Sequence, residues 1–269
     1  TARHAPLALL CVVAVAGSAL AAPPTATDAP ASSERSPTVV DGCTTITEPG
    51  RYVLGSDVEN RTADVCIRIA ASDVTLDGGG HVVSGEQFRE NTTGVLVVGA
   101  SNVTVRDLAA VRWTFGVRFE RAARASVADV ATWRTANGVT LRSSPAATVT
   151  DVRTENGFSG LVLVDADGTV VRDSAASALG EAGILVAESR AVTLRNCTVT
   201  DSAVGVVLAG TSASSLRAST LAENRVGVLL VDARRNDLRN LELSNDANLR
   251  LVNASRNRLP TNETEAGRP

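Results

Sequence analysis

From Cys66 to Leu259 the chain alternates apolar and polar residues in short bursts, and the bursts recur. Gly94, Gly116, Gly138, Gly160, Gly183, Gly205 and Gly227 mark the recurrence, spaced 22, 22, 22, 23, 22 and 22 residues apart. The first and third residues after each Gly are aliphatic or Phe, as in Val117/Phe119, Leu161/Leu163 and Val228/Leu230. A period of two places both on one face of a short strand. Eleven residues after the Gly stands Val or Leu in every copy, from Val105 to Leu238. Fourteen after it the residue is mostly small or aliphatic, which directs Cys197 inward as a free buried thiol. Self-similarity at this period is the mark of a solenoid, whose copies bury their inward faces only by stacking. The L-x-x-L-x-L-x-x-N frame of leucine-rich repeats is missing, and the period of two excludes helices. The prediction is all-β: a single-stranded right-handed parallel β-helix of about nine coils with ~22-residue repeats, each coil stacked ~4.8 Å from the next.

Between the two inward positions runs a ladder: Asp107, Asp129, Asp151, Asp173, Asn196, Ala218 and Asn240. Adjacent side chains cannot both point inward unless the chain bends between them. Asp and Asn tolerate the left-handed conformation of such a bend. The aspartates are therefore read as corner residues rather than as catalytic groups.

Flanking composition sets the expected boundaries. An apolar run from Leu7 to Leu20 followed by Ala19-Leu20-Ala21 predicts a signal peptide over 1–21. A Pro/Ala/Ser/Thr-rich linker is expected over 22–40, an N-terminal cap over 41–65, the β-helix over 66–259 and a disordered tail over 260–269. No second apolar run is long enough to span a membrane once the signal is cleaved. In an oxidising compartment Cys43 and Cys66 would bond, the alternative being two buried thiols. Six N-x-[S/T] sequons, at Asn60, Asn91, Asn102, Asn196, Asn253 and Asn262, fit an exported glycoprotein. The net charge is −3, all 26 basic residues are Arg, and no basic patch argues for nucleic acid.

The repeat pattern resembles the pectate-lyase-like β-helix superfold. More closely, it resembles the NosD-like repeats of secreted proteins of carbohydrate-binding and sugar-hydrolase type, over roughly Thr44 to Leu259. The opening TTITEPGRYVLGSDVENRTADVCIRIAASDVTLDGGGHVVSG looks like the start of the β-helix in exported haloarchaeal members. The resemblance implies the fold and an extracytoplasmic, glycan-related setting. It does not specify an activity, since this superfold hosts many.

Two and four residues after the Gly, the outward side chains are polar in early coils (Arg118, Glu120, Thr140, Arg142). In later coils they are apolar (Val162, Val164, Leu185, Ala187, Val207, Ala209, Leu229, Val231). The apolar strip predicts a homo-oligomer contact. Aromatics are only 3% of the chain, yet Trp113, Phe115, Trp133 and Phe158 cluster just before three successive coil starts. With Arg118, Glu120 and Arg142 they would line a glycan groove, rings stacking on sugar faces and charges binding hydroxyls or carboxylates. The alternative is rings packed on one another or filling the interior. The leading expectation is a non-catalytic protein presenting a surface to a polysaccharide or cell-surface glycan. The alternative is a polysaccharide hydrolase, lyase or epimerase, for which Glu120 and Glu155 are the available carboxylates. No cofactor or metal is expected. Copper wants soft or imidazole ligands, Met is absent, and His81 is read as a turn residue.

Overall fold

The structure, a computed structural model, describes residues 36–59, 63–86 and 90–260. Every described residue belongs to one compact unit, which begins at Arg35. The expected signal peptide, most of the linker, Asn60, Asn262 and the tail beyond Pro260 lie outside the described residues.

The described residues form strands and turns with no helix. Every strand pairing is parallel, each between one coil and the next. A first sheet runs through Val65–Ile69, Thr93–Val98, Phe115–Glu120 and Asn137–Arg142, and ends at Val226–Val231 and Ala247–Val252. Its register joins Val117 to Val139, Val139 to Leu161 and Leu161 to Ile184, so the inward residues form continuous columns. Those columns are the core, and each of these side chains is at most 1% exposed. The second sheet includes Val74–Asp77, Thr148–Thr150, Val170–Arg172 and Thr193–Arg195. The third follows without a break in strands such as Thr104–Val111 and Ser126–Trp133, and in Arg153–Val164 it runs on into the first. The result is a right-handed parallel β-helix of about nine coils.

Two sequence boundaries shift. The cap expected over 41–65 is a coil in its own right: Thr44–Ile46 pairs with Val65–Ile69, Gly50–Leu54 with Val74–Asp77, and Val58–Glu59 with Val82–Ser84. The linker expected to reach residue 40 stops earlier, because Thr38–Val40 is already a strand on Gly50–Leu54. Neither coil-forming stretch carries the repeat Gly, which is why the pattern did not show them. Cys43 and Cys66 form a disulfide that ties the first coil to the second. Cys197 is a free, buried thiol.

The repeat Gly is demanded by space rather than by dihedral angle. A Cβ on Gly94, Gly116, Gly138, Gly160, Gly183 or Gly205 would meet the carbonyl oxygen of the next repeat Gly at 2.5–2.8 Å. The corner ladder from Asp107 to Asn240 has φ between 48° and 55° throughout, Ala218 included. Corners also leave inward amides without a backbone partner, and the next coil supplies one. Val152 N–H donates to Ser174 Oγ (3.2 Å), Cys197 N–H to Ser219 Oγ (3.1 Å), Ser202 N–H to Asn224 Oδ1 (3.0 Å) and Asn224 N–H to Asn245 Oδ1 (3.1 Å). A buried amide left unpaired would cost about 1–3 kcal/mol.

Candidate functional site

The four aromatic rings separate into an inner one and three outer ones. Trp113 is 3% exposed, and its indole Nε1–H donates to the Val83 carbonyl at 2.9 Å. Gly85 and Gly94 make room for it, since a Cβ at either would come within 2.8–3.0 Å of its ring. The expectation that Trp113 lines a groove is corrected: it is part of the core and cannot stack on a sugar.

The outer rings sit on the corner between the third sheet and the following first-sheet strand. Trp133 is 40% and Phe158 57% exposed. The Arg134 guanidinium lies over the Trp133 ring, 4.3 Å from its centroid. Glu155, half-buried, is the in-register neighbour of Trp133 on the next coil. The one 23-residue spacing has its cause here. The register shifts between Gly157 and Ser159, so that the exposed pair Gly180 and Glu181 stands opposite the single residue Phe158. Ser159 Oγ–H donates to Glu181 Oε2 at 2.7 Å, which fixes the bulge. Bulges of this kind re-aim side chains and terminate pairing locally. Glu181 and Arg134 escaped the sequence reading, although the odd spacing could have directed attention to residues 180–181.

Phe115 is half-buried and reaches the first-sheet face, where Arg118 lies 4.3 Å from its centroid. Arg118 is ion-paired with Glu120, which stands in register with Arg142. Strand register links the two groups: Phe115 pairs with Asn137 and Asn137 with Ser159, next in sequence to Phe158. Glu120 and Glu155 are not brought together in one sheet. Glu120 lies in the first, between Val98 and Arg142, and Glu155 in the third, between Trp133 and Ser177. A cavity of about 440 Å³ opens elsewhere, at the first coil, lined by Thr38 to Glu48 and Tyr52.

Several other candidates have local partners. Asn196 Nδ2–H donates to Asp173 Oδ1 at 2.7 Å. That bond first, and Arg172 second, holds the Asp173 carboxyl below its ordinary range. Asn102, a sequon residue, likewise donates to Asp73 Oδ1 at 2.7 Å. His81 Nδ1 lies 3.1 Å from Asp57 Oδ1. The Asp57 carboxyl is lowered chiefly by the backbone N–H of Val82, then by His81. On the later coils, Val162 is buried and the remaining seven residues of the apolar strip are half-buried.

The model of one protein family, described as periplasmic copper-binding protein (NosD), matches residues 36–266. No curated protein matches the sequence. Among solved structures, the A-module of the Azotobacter vinelandii mannuronan C-5 epimerase AlgE6 superposes with a TM-score of 0.69 at 18% identity, covering 78% of this chain and 66% of that one. The corresponding module of AlgE4 gives 0.69 at 19% identity, covering 79% and 68%. The periplasmic alginate epimerase AlgG gives 0.63 at 13% identity, covering 80% and 69%. At these identities the likeness is one of fold, and the chain spans about two thirds of the AlgE6 chain. Among the described residues, the donor set does not fit the copper of the family's description. The chain has no Met. His81 faces Asp57, Cys43 and Cys66 are bonded to each other, and Cys197 is inside the coil. Among the described residues, no group of three His, Cys, Asp or Glu side chains is placed to hold a metal. No described helix is long and apolar enough to cross a membrane. The match over 36–266 nonetheless takes in nearly all of the β-helix, and this chain belongs to the NosD family.

Proposed function

We propose that the protein is an exported, non-catalytic β-helix that presents a glycan-binding surface at the bulged corner of its middle coils. The observation that carries this reading is the pair of exposed rings, Trp133 and Phe158, flanked by Arg134, Glu155 and Glu181. Exposed aromatics are costly to leave in water in a chain with so few of them. Flanked by both signs of charge, they match the face and the hydroxyl edge of a sugar ring. The periplasmic family and the disulfide support a location outside the cytoplasm, where glycans are met. Phe115, Arg118, Glu120 and Arg142 extend the surface onto the first sheet. The half-buried strip of Leu185, Val207 and Leu229 is the contact for a second copy, which Leu185→Arg with Leu229→Arg would convert to a folded monomer by light scattering.

The experiment is tryptophan fluorescence against a panel of neutral and acidic oligosaccharides. With Trp113 buried, a ligand-dependent change reports Trp133, and Trp133→Ala should abolish it. No response across the panel would sink the reading. The alternative, a polysaccharide-active enzyme, is favoured by the epimerase folds and by Glu155 beside Trp133. It requires product formation that Glu155→Gln or Glu120→Gln removes.

A further inference from the structure

On the second sheet, the outward position twelve residues after the repeat Gly is Arg in four successive coils: Arg172, Arg195, Arg217 and Arg239. The strands hold them in register, Arg172 beside Arg195, Arg195 beside Arg217 and Arg217 beside Arg239. Parallel strands lie ~4.8 Å apart, so positive charge repeats at about that step along the coil axis. Earlier coils differ at the same position. Arg106 there is bound to Asp77 at 2.6 Å, and the next two residues of the column are Ala128 and Thr150.

The carboxylates at hand do not balance the column. Asp173 takes Arg172 at 2.8 Å. Asp237 takes both Arg217 and Arg239 at 2.7 Å, with Arg258 at 4.0 Å. Among the described residues, no carboxylate lies within ion-pair distance of Arg195, which is exposed in the middle of the column; Asp173 attracts it only from farther off. Five guanidiniums against two carboxylates leave three positive charges in excess. Arg239 Nε is buried without a hydrogen-bond partner. Like charges on neighbouring strands work against the sheet, and the two carboxylates relieve only part of that repulsion.

We propose that the arginine column of the later coils is a binding site for a linear polyanionic polysaccharide, a polyuronate, laid along the coil axis. Guanidinium forks take carboxylates in two-point contacts, and an extended polymer with a carboxylate on every sugar can meet one coil after another. Nucleic acid fits less well: single strands are held on aromatic platforms beside the basic groove. The outward residues next to this column are Val170, Thr193, Ser215 and Asp237. The choice of a glycan rests on the proposed function above. The position of the site does not, since the column and the Trp133 corner lie on different sheets.

The test measures binding of the full chain to polygalacturonate, to neutral dextran and to a single-stranded oligodeoxynucleotide, at low and moderate salt. Polygalacturonate should bind with an affinity that falls as salt rises, and dextran should not bind at the column. Arg195→Gln with Arg217→Gln should weaken polygalacturonate by about tenfold or more. Trp133→Ala should leave that affinity nearly unchanged. In the ligand-free protein, Arg195→Gln should raise the melting temperature, because it removes repulsion and no ion pair. A lowered melting temperature would mean that the column is structural, and overturns the site. So does a double variant that binds polygalacturonate as well as the unmutated protein does, an unmutated protein that does not bind it, or an oligonucleotide bound as tightly through the same arginines. Loss of glycan binding in Trp133→Ala but not in the double arginine variant would keep the proposed function and remove this site. The reverse would keep the site and remove the aromatic corner.

Discussion

Trp113 and Trp133 stand on adjacent coils, twenty residues apart, and end on opposite sides of the same wall. Trp113 is in the core with its N–H on Val83, while Trp133 lies 40% exposed beneath Arg134. The cause is position within the coil. Trp113 is nineteen residues after its repeat Gly, in the column of Thr135, Leu179, Ser202 and Asn224, all buried. Trp133 is seventeen after its Gly, in the column of Val111, Glu155, Ser177 and Thr200, all half-buried and outward. Between the two columns stands a residue of positive φ in six successive coils: Arg112, Arg134, Asn156, Ala178, Asp201 and Glu223, with φ from 49° to 62°. That corner reverses the facing of the chain over two residues. In a solenoid, a side chain's surroundings are decided by its place in the repeat before its chemistry is consulted.

The cost of removing either ring should therefore differ sharply. Trp113→Ala should destabilise the protein by about 3–5 kcal/mol in denaturant unfolding, the range for a large core ring lost to a cavity. Trp113→Phe keeps most of the ring but leaves the Val83 carbonyl bare, and should cost less. A Trp113→Ala protein with an unchanged midpoint would erase the distinction.

Cys197 sharpens the inner half of the comparison through pH. Burial pushes its thiol from 9.0 up to about 11. The folded state therefore holds this proton more tightly than the unfolded chain. Its contribution is complete below pH 9 and is lost as pH rises toward about 11, by roughly 2–3 kcal/mol. Cys197→Ser should remove that alkaline slope and change little at neutral pH, because Ser174 and Ser219 hold the same position in the neighbouring coils. Identical pH profiles for the two proteins would place the thiol outside.

The corners test how much of the inside and outside was legible in the sequence. The ladder at position thirteen was readable because Asp and Asn are the residues that adopt a left-handed backbone readily. The corner at position eighteen was not, because two Arg, an Ala and a Glu outnumber the single Asn and the single Asp there. Without that corner, nearness to the following Gly groups Trp113 with the outer rings, whereas its column puts it inside. The Ser and Asn acceptors at the turns were hidden for a related reason, since their role depends on which amide a corner strands. The arginine column lay open in the spacing, and only the register made it a surface. Asp151→Leu puts a branched residue at φ 52° and should cost about 1 kcal/mol. Ala218→Asn, at φ 48°, should gain a fraction of that. Equal effects at both sites would mean that the backbone conformation is not what selects the ladder.

The smallest stability effect belongs to Trp133, and it separates a binding surface from mere packing. Its ring touches Arg134 and solvent rather than the core, so Trp133→Ala should change stability by no more than about 0.5 kcal/mol. A ring that contributes so little to folding is retained at a cost in exposed apolar area. For a glycan stacked on it as proposed, the same substitution should weaken affinity by about 1–3 kcal/mol. Phe158→Ala should behave alike, being more exposed still and opposite the Gly180–Glu181 bulge. Gly180→Ala probes the bulge itself, since its Cβ would stand 3.4 Å from the Phe158 ring and crowd the outer side of the corner without entering the core. A Trp133→Ala protein as destabilised as Trp113→Ala would show that the outer ring is held by contacts of the fold, and the corner would then be a cap on the coil instead of a site.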